Sequence, residues 1–409
     1  MFFLYNILVT IAKYTLNIVA LFSPKMKLFV EGRKSVFTTL EQKLQPDDKT
    51  IWFHAASLGE YEQGLPVMEK VRAAQPEHKI VLTFFSPSGY EVRKNATTAD
   101  VIVYLPMDTL ANAEKFLSIV KPEKVFFIKY EFWPNYLTQL KKTQAQVYLI
   151  SGFFRKDQVF FKWYGGFYRK ALKAFNHFFV QYESSKTLLQ SIGFNNVTIS
   201  GDTRYDRVSE ILKRDNSLPF VEEFIDGKTA VVFGSSWPKD EAMFTGFINS
   251  AANAKFIIAP HTTGEDHIAA IKNSLTKKVV LFSEKEGKNL ADYDVLVINT
   301  VGILTKIYSY ADVAYVGGGF GTAGLHNILE PAAFGVPIII GPNHTKFPEA
   351  VALVNMGGCI AVKDENEMND ALSSLVYNDD VREETGHIAG TFVSMNRGAV
   401  NIILKNIEY

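Results

Sequence analysis

Three short stretches place reactive side chains directly behind β-branched and aromatic runs, where group-transfer chemistry could sit. The first is His54-Ala-Ala-Ser-Leu-Gly-Glu60. A carboxylate behind a glycine at a strand-to-helix turn can face a cleft and take a proton from a hydroxyl. An acid in a first helical turn is also favoured by the helix dipole alone, and the spacing leaves both readings open. The second is Lys129-Tyr-Glu-Phe-Trp-Pro-Asn135. Burying Glu131 beside Phe132 and Trp133 costs free energy unless the carboxylate is paired or used, so a cleft is expected around it. Pairing with Lys129 or backbone is the structural alternative. The third is Gly201-Asp-Thr-Arg-Tyr-Asp206. Its Arg204 could neutralise a departing phosphate, or simply bridge Asp202 or Asp206.

A fourth stretch, from Val313 through Gly317-Gly-Gly-Phe-Gly-Thr-Ala-Gly-Leu-His-Asn-Ile-Leu-Glu-Pro331, runs from a strand through a glycine-rich turn into a helix. Glycines let backbone N–H groups approach a phosphate at a helix start. The alternative is a tight turn that only packs helix on sheet. Gly319 to Gly324 also matches G-x-G-x-x-G, but the segment lies late in the chain. The next strand ends in Gly341-Pro342, where a ribose-binding acid would be expected. Glu330, inside the loop, is placed to bind ribose hydroxyls instead. Asn327 with Glu330 resembles a capping box, and Pro331 suits a first turn. Metal chemistry is not expected: the eight histidines are scattered, and Asp292-Tyr-Asp294 opens a strand. No G-x-S-x-G elbow of a serine hydrolase occurs.

These loops need a scaffold. Short apolar runs at 51–54, 80–84, 101–105, 125–128, 147–150, 177–180 and 197–200 alternate with helix-length amphipathic segments. The pattern restarts at 230–233, 256–259, 279–281, 295–298, 313–316, 337–340 and 359–362. Near-continuous apolar strands between helices indicate α/β architecture, with parallel sheets covered on both faces. Two Rossmann-like domains are therefore expected, at 23–206 and 229–390. A polar linker is expected at 207–228, and a final segment, 391–409, follows the second domain. In such sheets ligands bind beyond the carboxyl ends of the strands. Lys+Arg and Asp+Glu both total 43, and this zero balance argues against a nucleic-acid partner. The single cysteine, Cys359, excludes an internal disulfide and fits a reducing compartment.

Residues 1–22 are apolar apart from a few polar positions and are followed by Lys25, Lys27, Arg33 and Lys34. That length suits a membrane-associated helix with the catalytic body on the cytoplasmic side. Asn6, Thr10, Lys13 and Asn17 form one stripe on a helix, which suits interfacial packing as well as spanning. Residues 153–179 interleave six basic residues with aromatics. This segment is either a lipid-facing surface or a core helix with wet basic edges.

Taken together, the motifs resemble the Kdo (3-deoxy-D-manno-octulosonic acid) transferases of lipopolysaccharide synthesis, glycosyltransferases of GT-B fold. The resemblance runs through Ser57-Leu-Gly-Glu60, Ser86-Pro-Ser-Gly89, Tyr104-Leu-Pro-Met-Asp108, Glu131-Phe-Trp-Pro-Asn135, Gly201-Asp-Thr-Arg204, Pro260-His261, Gly317-Gly318 and His326-Asn-Ile-Leu-Glu330. It implies two domains facing across a cleft, with the final segment, 391–409, packing back on the first domain. It also implies Glu60 as general base, with Glu131 and Arg204 assisting the transition state. The cytidine nucleotide would meet Pro260, His261, Val301, Gly302, Ile303, Asn327, Ile328, Leu329 and Glu330. It further implies CMP-Kdo as donor, a lipid A precursor as acceptor, and inversion without a metal or other cofactor. The enzyme would then work on lipid at the cell inner membrane. Two alternatives share the same loops: another GT-B enzyme, such as a UDP-sugar transferase or epimerase, and a non-catalytic membrane scaffold that binds a sugar nucleotide.

Overall fold

The computed structural model describes residues 2–407. The chain divides into two compact units, Met1–Arg207 with Arg397–Tyr409 and Val208–Asn396. All fourteen apolar runs are strands. In the front unit β1 (Thr50–Ala55), β2 (Lys79–Phe84), β3 (Val101–Tyr104), β4 (Pro122–Ile128), β5 (Gln146–Gly152), β6 (His177–Val180) and β7 (Val197–Ile199) pair in parallel in the order 3-2-1-4-5-6-7. Successive residues of β1 enter opposite cores. Trp52 packs with Val81, Phe127 and Leu149, while Ile51 and Phe53 pack with Leu82, Phe126 and Ile150. Burial on both faces is why these strands read as continuous apolar runs.

The back unit repeats the design with β8 (Thr229–Ser236), β9 (Ala254–Pro260), β10 (Val279–Leu281), β11 (Val295–Val297), β12 (Val313–Val316), β13 (Ile338–Ile340) and β14 (Cys359–Ala361). Their order is 10-11-9-8-12-13-14, again parallel. In each sheet the winding direction reverses at one strand pair, β1/β4 in front and β8/β12 behind. Loops leaving the carboxyl ends of such a pair diverge to opposite sides and open a crevice. The β1 and β4 ends lead into Glu60 and Glu131, and the β8 and β12 ends into Trp237 and the glycine-rich loop.

Two boundaries differ from the sequence expectation. Residues 207–228 are no irregular linker. They hold the end of helix Thr203–Ile211 and all of helix Pro219–Ile225, whose Val221 and Phe224 are fully buried in the back unit's core. Pro219 starts that helix, at a position where proline's missing N–H costs nothing. The return to the front unit also begins later than 391. Helix Asp379–Asn396 belongs to the back unit, and only Ala399–Lys405 joins the front one, burying Val400 and Ile403 beside helix Leu58–Ala74. Asp206 accepts hydrogen bonds from the Gly398 and Val400 amides at its start.

The amino-terminal helix Phe2–Val19 is the one helix, among the described residues, long and apolar enough to cross a membrane. One face is seated on the front unit: Tyr5, Asn6, Val9, Leu16 and Ala20 are half-buried, while Phe3, Leu4, Ile7, Leu8, Ile11 and Ile18 face outward. Asn6, Thr10 and Asn17 each donate to the carbonyl one turn back, and the Asn6 side-chain oxygen also accepts from the Asn135 side-chain amide at 3.1 Å. The 153–179 segment divides. Phe154, Phe160 and Phe175 are core, and Phe167 seats Phe2 and Tyr5, whereas Trp163 is 91% exposed.

Candidate functional site

In the front unit, Glu60 is the third residue of helix Leu58–Ala74 and only 7% exposed. The side chain of Ser57, the N-cap residue, caps no helix amide; its hydroxyl donates to the Glu60 carboxylate. Lys129 lies 3.9 Å from the other carboxylate oxygen. Lys129 sits at φ 70°, a left-handed backbone that costs a non-glycine residue on the order of 1 kcal/mol and turns the chain sharply out of β4. Tyr130 sits within the fields of both acids. Burial, then Glu60, then Glu131 raise its pKa above the ordinary phenol value. Gly89 closes the turn from the other side, since a Cβ there would collide with the Phe84 ring and crowd the Ser57 backbone.

Glu131 is brought in by a hydrogen-bond relay that no local spacing announces. His54, fully buried on β1, lies 2.8 Å by Nδ1 from the Thr83 hydroxyl, and Trp133 donates its indole N–H to His54 Nε2 at 3.0 Å. An indole nitrogen only donates, so Nε2 must accept and the ring proton sits on Nδ1, pointing at Thr83. Thr83 also accepts from the Trp52 indole and donates to the Phe53 carbonyl. Glu131, 3.5 Å from Nε2, is therefore a neighbour of a neutral imidazole and not its ion-pair partner. Asp108, 2% exposed, secures the far end of the loop. It accepts from the Asn135 and Tyr136 amides, each at 3.1 Å, and from the Tyr5 hydroxyl at 2.6 Å. Burial raises its pKa, and those three donors oppose the rise.

Arg204 adopts the structural pairing considered from sequence. It binds Asp202, 2% exposed, through Nε at 2.8 Å and a terminal nitrogen at 2.7 Å, leaving Asp206 to the carboxyl-terminal helix. That pairing fixes the guanidinium and still leaves it 29% exposed.

In the back unit the glycine-rich loop is a packing device first. A Cβ on Gly317 would collide with the Ser235 carbonyl, and one on Gly318 with the Gly324 carbonyl. The Gly318 and Phe320 amides do not await a phosphate. Both donate to Asp240, a fully buried carboxylate that also receives the Tyr315 hydroxyl and the Trp237 amide. The capping box is not made either. The helix here is one turn, Leu329–Ala333, and Glu330 turns its carboxylate to Thr305 at 2.7 Å and Asn327 at 3.1 Å. A single turn offers far less dipole field than the long helix that the sequence suggested. Ile328 and Leu329 are buried, so only their backbone can meet a ligand. Val301 is 78% exposed, and Gly302 and Ile303 lead into helix Leu304–Ile307, which carries Thr305 to Glu330.

Pro260 ends β9 and His261 follows it. The His261 ring stacks on Trp237 with centroids 4.4 Å apart and lies 4.6 Å from His326. Trp237 donates to His326 Nε2 at 3.2 Å. Burial, then the neighbouring His261, push the His326 pKa down to about 4, and burial lowers His261 as well. This neutral aromatic wall suits a flat heterocycle. Trp237 and Asp240 were not singled out from sequence, His54 stood there only as the start of a motif, and Lys129 only as a partner for Glu131, whereas it lies by Glu60. Only strand ends converging at the switch points reveal them. Among the described residues no group of three or more His, Cys, Asp or Glu could hold a metal ion.

Residues 31–207 match the sequence family described as 3-deoxy-D-manno-octulosonic-acid transferase (kdotransferase). Curated proteins named 3-deoxy-D-manno-octulosonic acid transferase align over most of the chain. The one from Aquifex aeolicus is 25% identical, covering 80% of this chain and 86% of its own length. The one from Chlamydophila psittaci is 27% identical, covering 81% and 80%. Among solved structures, a UDP-GlcNAc 2-epimerase from Neisseria meningitidis overlays with a TM-score of 0.64 at 15% identity, covering 87% of this chain and 98% of that one. The fold is of the GT-B kind.

Proposed function

We propose that this chain is a Kdo transferase, an enzyme that moves Kdo from CMP-Kdo to a lipid A precursor, the acylated, phosphorylated glucosamine disaccharide. The match of residues 31–207 to that family and the relatives of that name, 25% and 27% identical, support the reading. The observation that carries this reading is Glu60: a buried carboxylate at a switch point, held by Ser57 and Lys129, with Tyr130 in the field of both it and Glu131. Buried acids without a structural partner of full strength are typical of proton-transfer sites.

In the proposed reaction an acceptor hydroxyl oxygen bonds to the anomeric carbon while its proton passes to Glu60. The bond from that carbon to the CMP phosphate oxygen breaks, its electron pair leaving on the phosphate, and configuration inverts. Arg204, oriented by Asp202, meets the charge on the leaving phosphate, and Glu131 steadies the oxocarbenium-like transition state. Pro260, His261, Val301, Gly302, Ile303 and Asn327 to Glu330 contact the nucleotide, with Glu330 at the ribose. The departing charge is met by a guanidinium, so the reaction is proposed to run without a metal. The outward apolar face of the leader helix rests in the cytoplasmic leaflet of the inner membrane, where the acceptor resides.

The test is product analysis by mass spectrometry after incubating the full chain with CMP-Kdo and the tetraacyl disaccharide bisphosphate, with and without EDTA. Addition of Kdo in both conditions is expected. No Kdo adduct would overturn the reading, and a product only without EDTA would overturn its metal independence. Protection by UMP or UDP in preference to CMP would favour a UDP-sugar enzyme.

A further inference from the structure

The leader helix and the turn after helix Pro24–Glu31 enclose a cavity of about 350 Å³ that the transfer chemistry does not use. Its lining includes the charged Lys13, Arg33 and Lys34 and the apolar Leu16, Val30 and Met107. Arg33 is unusual. Its guanidinium is largely buried, and no carboxylate pairs with it among the described residues. It donates to the carbonyls of Leu105 at 2.9 Å, Phe29 at 2.8 Å and Phe85 at 2.6 Å, and lies 3.5 Å over the Phe29 ring. Those contacts hold the cation in place without neutralising it, which is costly unless an anion arrives. Lys13 has no ion-pair partner among the described residues, and Lys34 pairs only with exposed Glu31. The cavity thus carries two uncompensated positive charges against an apolar wall.

Its position is as informative as its charge. Phe85 and Leu105, which hold Arg33, follow the carboxyl ends of β2 and β3. The Phe85 ring packs on Trp133 at 4.6 Å, and Trp133 is the residue that His54 fixes beside Glu131. The opposite wall is the leader helix, whose outward face is apolar. A ligand here has one end at the membrane and the other one aromatic ring away from the catalytic loop.

We propose that this cavity seats a phosphate and the adjoining acyl chain of the acceptor lipid: the phosphate against Lys13, Arg33 and Lys34, and the chain along Leu16, Val30 and Met107. This rests on the proposed reaction and adds to it a subsite that selects a phosphorylated, acylated sugar. A cavity of this size is within the range of small-ligand pockets. Phosphate recognition by a fixed guanidinium with flanking ammonium groups is the expected chemistry.

The test uses the full chain in neutral detergent micelles, where membrane attachment is not limiting. The variants are Lys13→Ala with Lys34→Ala, both on exposed positions, and Leu16→Trp, which fills the cavity without changing charge. Each is expected to raise the KM for the tetraacyl disaccharide bisphosphate about tenfold, with kcat and the KM for CMP-Kdo within about twofold of wild type. The double lysine variant should also lose the wild-type preference for the bisphosphate acceptor over its dephosphorylated form. An unchanged acceptor KM in both variants would overturn the assignment. So would a lysine variant impaired only in binding vesicles that contain phosphatidylglycerol, because the cavity would then serve bulk phospholipid. If the wild-type chain transfers no Kdo, the reaction itself fails. The same variants then test the site by equilibrium binding of the bisphosphate lipid, expected to weaken about tenfold; unchanged binding refutes it.

Discussion

Replacing His54 by leucine tests whether a buried imidazole positions the Glu131 loop. The substitution removes the acceptor for the half-buried Trp133 indole N–H and one hydrogen bond to Thr83, while filling nearly the same volume. Leaving a buried donor unsatisfied costs about 1–3 kcal/mol, and losing one neutral bond about 1 kcal/mol more. The front unit should therefore lose about 2–4 kcal/mol, less than the typical 5–15 kcal/mol of a domain, and remain folded. Urea unfolding followed by tryptophan fluorescence measures this. A Trp237→Phe background leaves Trp52, Trp133 and Trp163 as reporters, all in the front unit. With Trp133 released, Glu131 drifts, and a displacement near 1 Å can cost about 10²-fold in rate, so kcat should fall about 10- to 100-fold with little change in donor KM. His54→Gln restores an acceptor and should recover most of the stability. A leucine variant within about 0.5 kcal/mol of wild type and with full turnover would refute the relay.

Glu60→Gln should leave a folded protein that binds CMP normally and loses about 10²–10⁴ in kcat, the usual worth of a general base; near-normal transfer would remove Glu60 from the chemistry. Arg204→Ala should lower turnover rather than acceptor affinity, and an effect confined to acceptor KM would contradict a leaving-group role. His326 gives a pH signature. Its folded-state pKa, about 4, lies below the ordinary imidazole value near 6.5, so the unfolded chain binds more protons between them. Back-unit stability should therefore fall as pH drops from about 6.5 to about 4, and His326→Gln should flatten part of that slope, His261 supplying the rest. A wild-type melting profile flat across this window would refute it.

The strands were legible because burial on both faces of a parallel sheet writes itself as uninterrupted apolar runs, and the segments that carry Glu60, Glu131 and Arg204 were legible because each leaves the carboxyl end of one. Residues 207–228 look like a linker in sequence because they are polar and contain a proline, yet Pro219 sits where proline begins a helix, at its first turn. The glycine-rich loop shows the limit most clearly. Its residues fit a phosphate cradle and a tight packing turn equally well, and only the fold shows that two of its amides are taken by Asp240, 78 residues before Gly318. Likewise the partner of Trp133 lies 79 residues away, that of Tyr5 103, and that of Trp237 89. By itself the sequence determined element types and the two-unit plan and offered candidate side chains for chemistry, because these follow from local pattern and residue chemistry. Only the tertiary structure decided strand order, and with it which loops share a switch point. It also decided which buried polar atoms answer one another, because hydrogen-bond partners are chosen by distance in space and not along the chain.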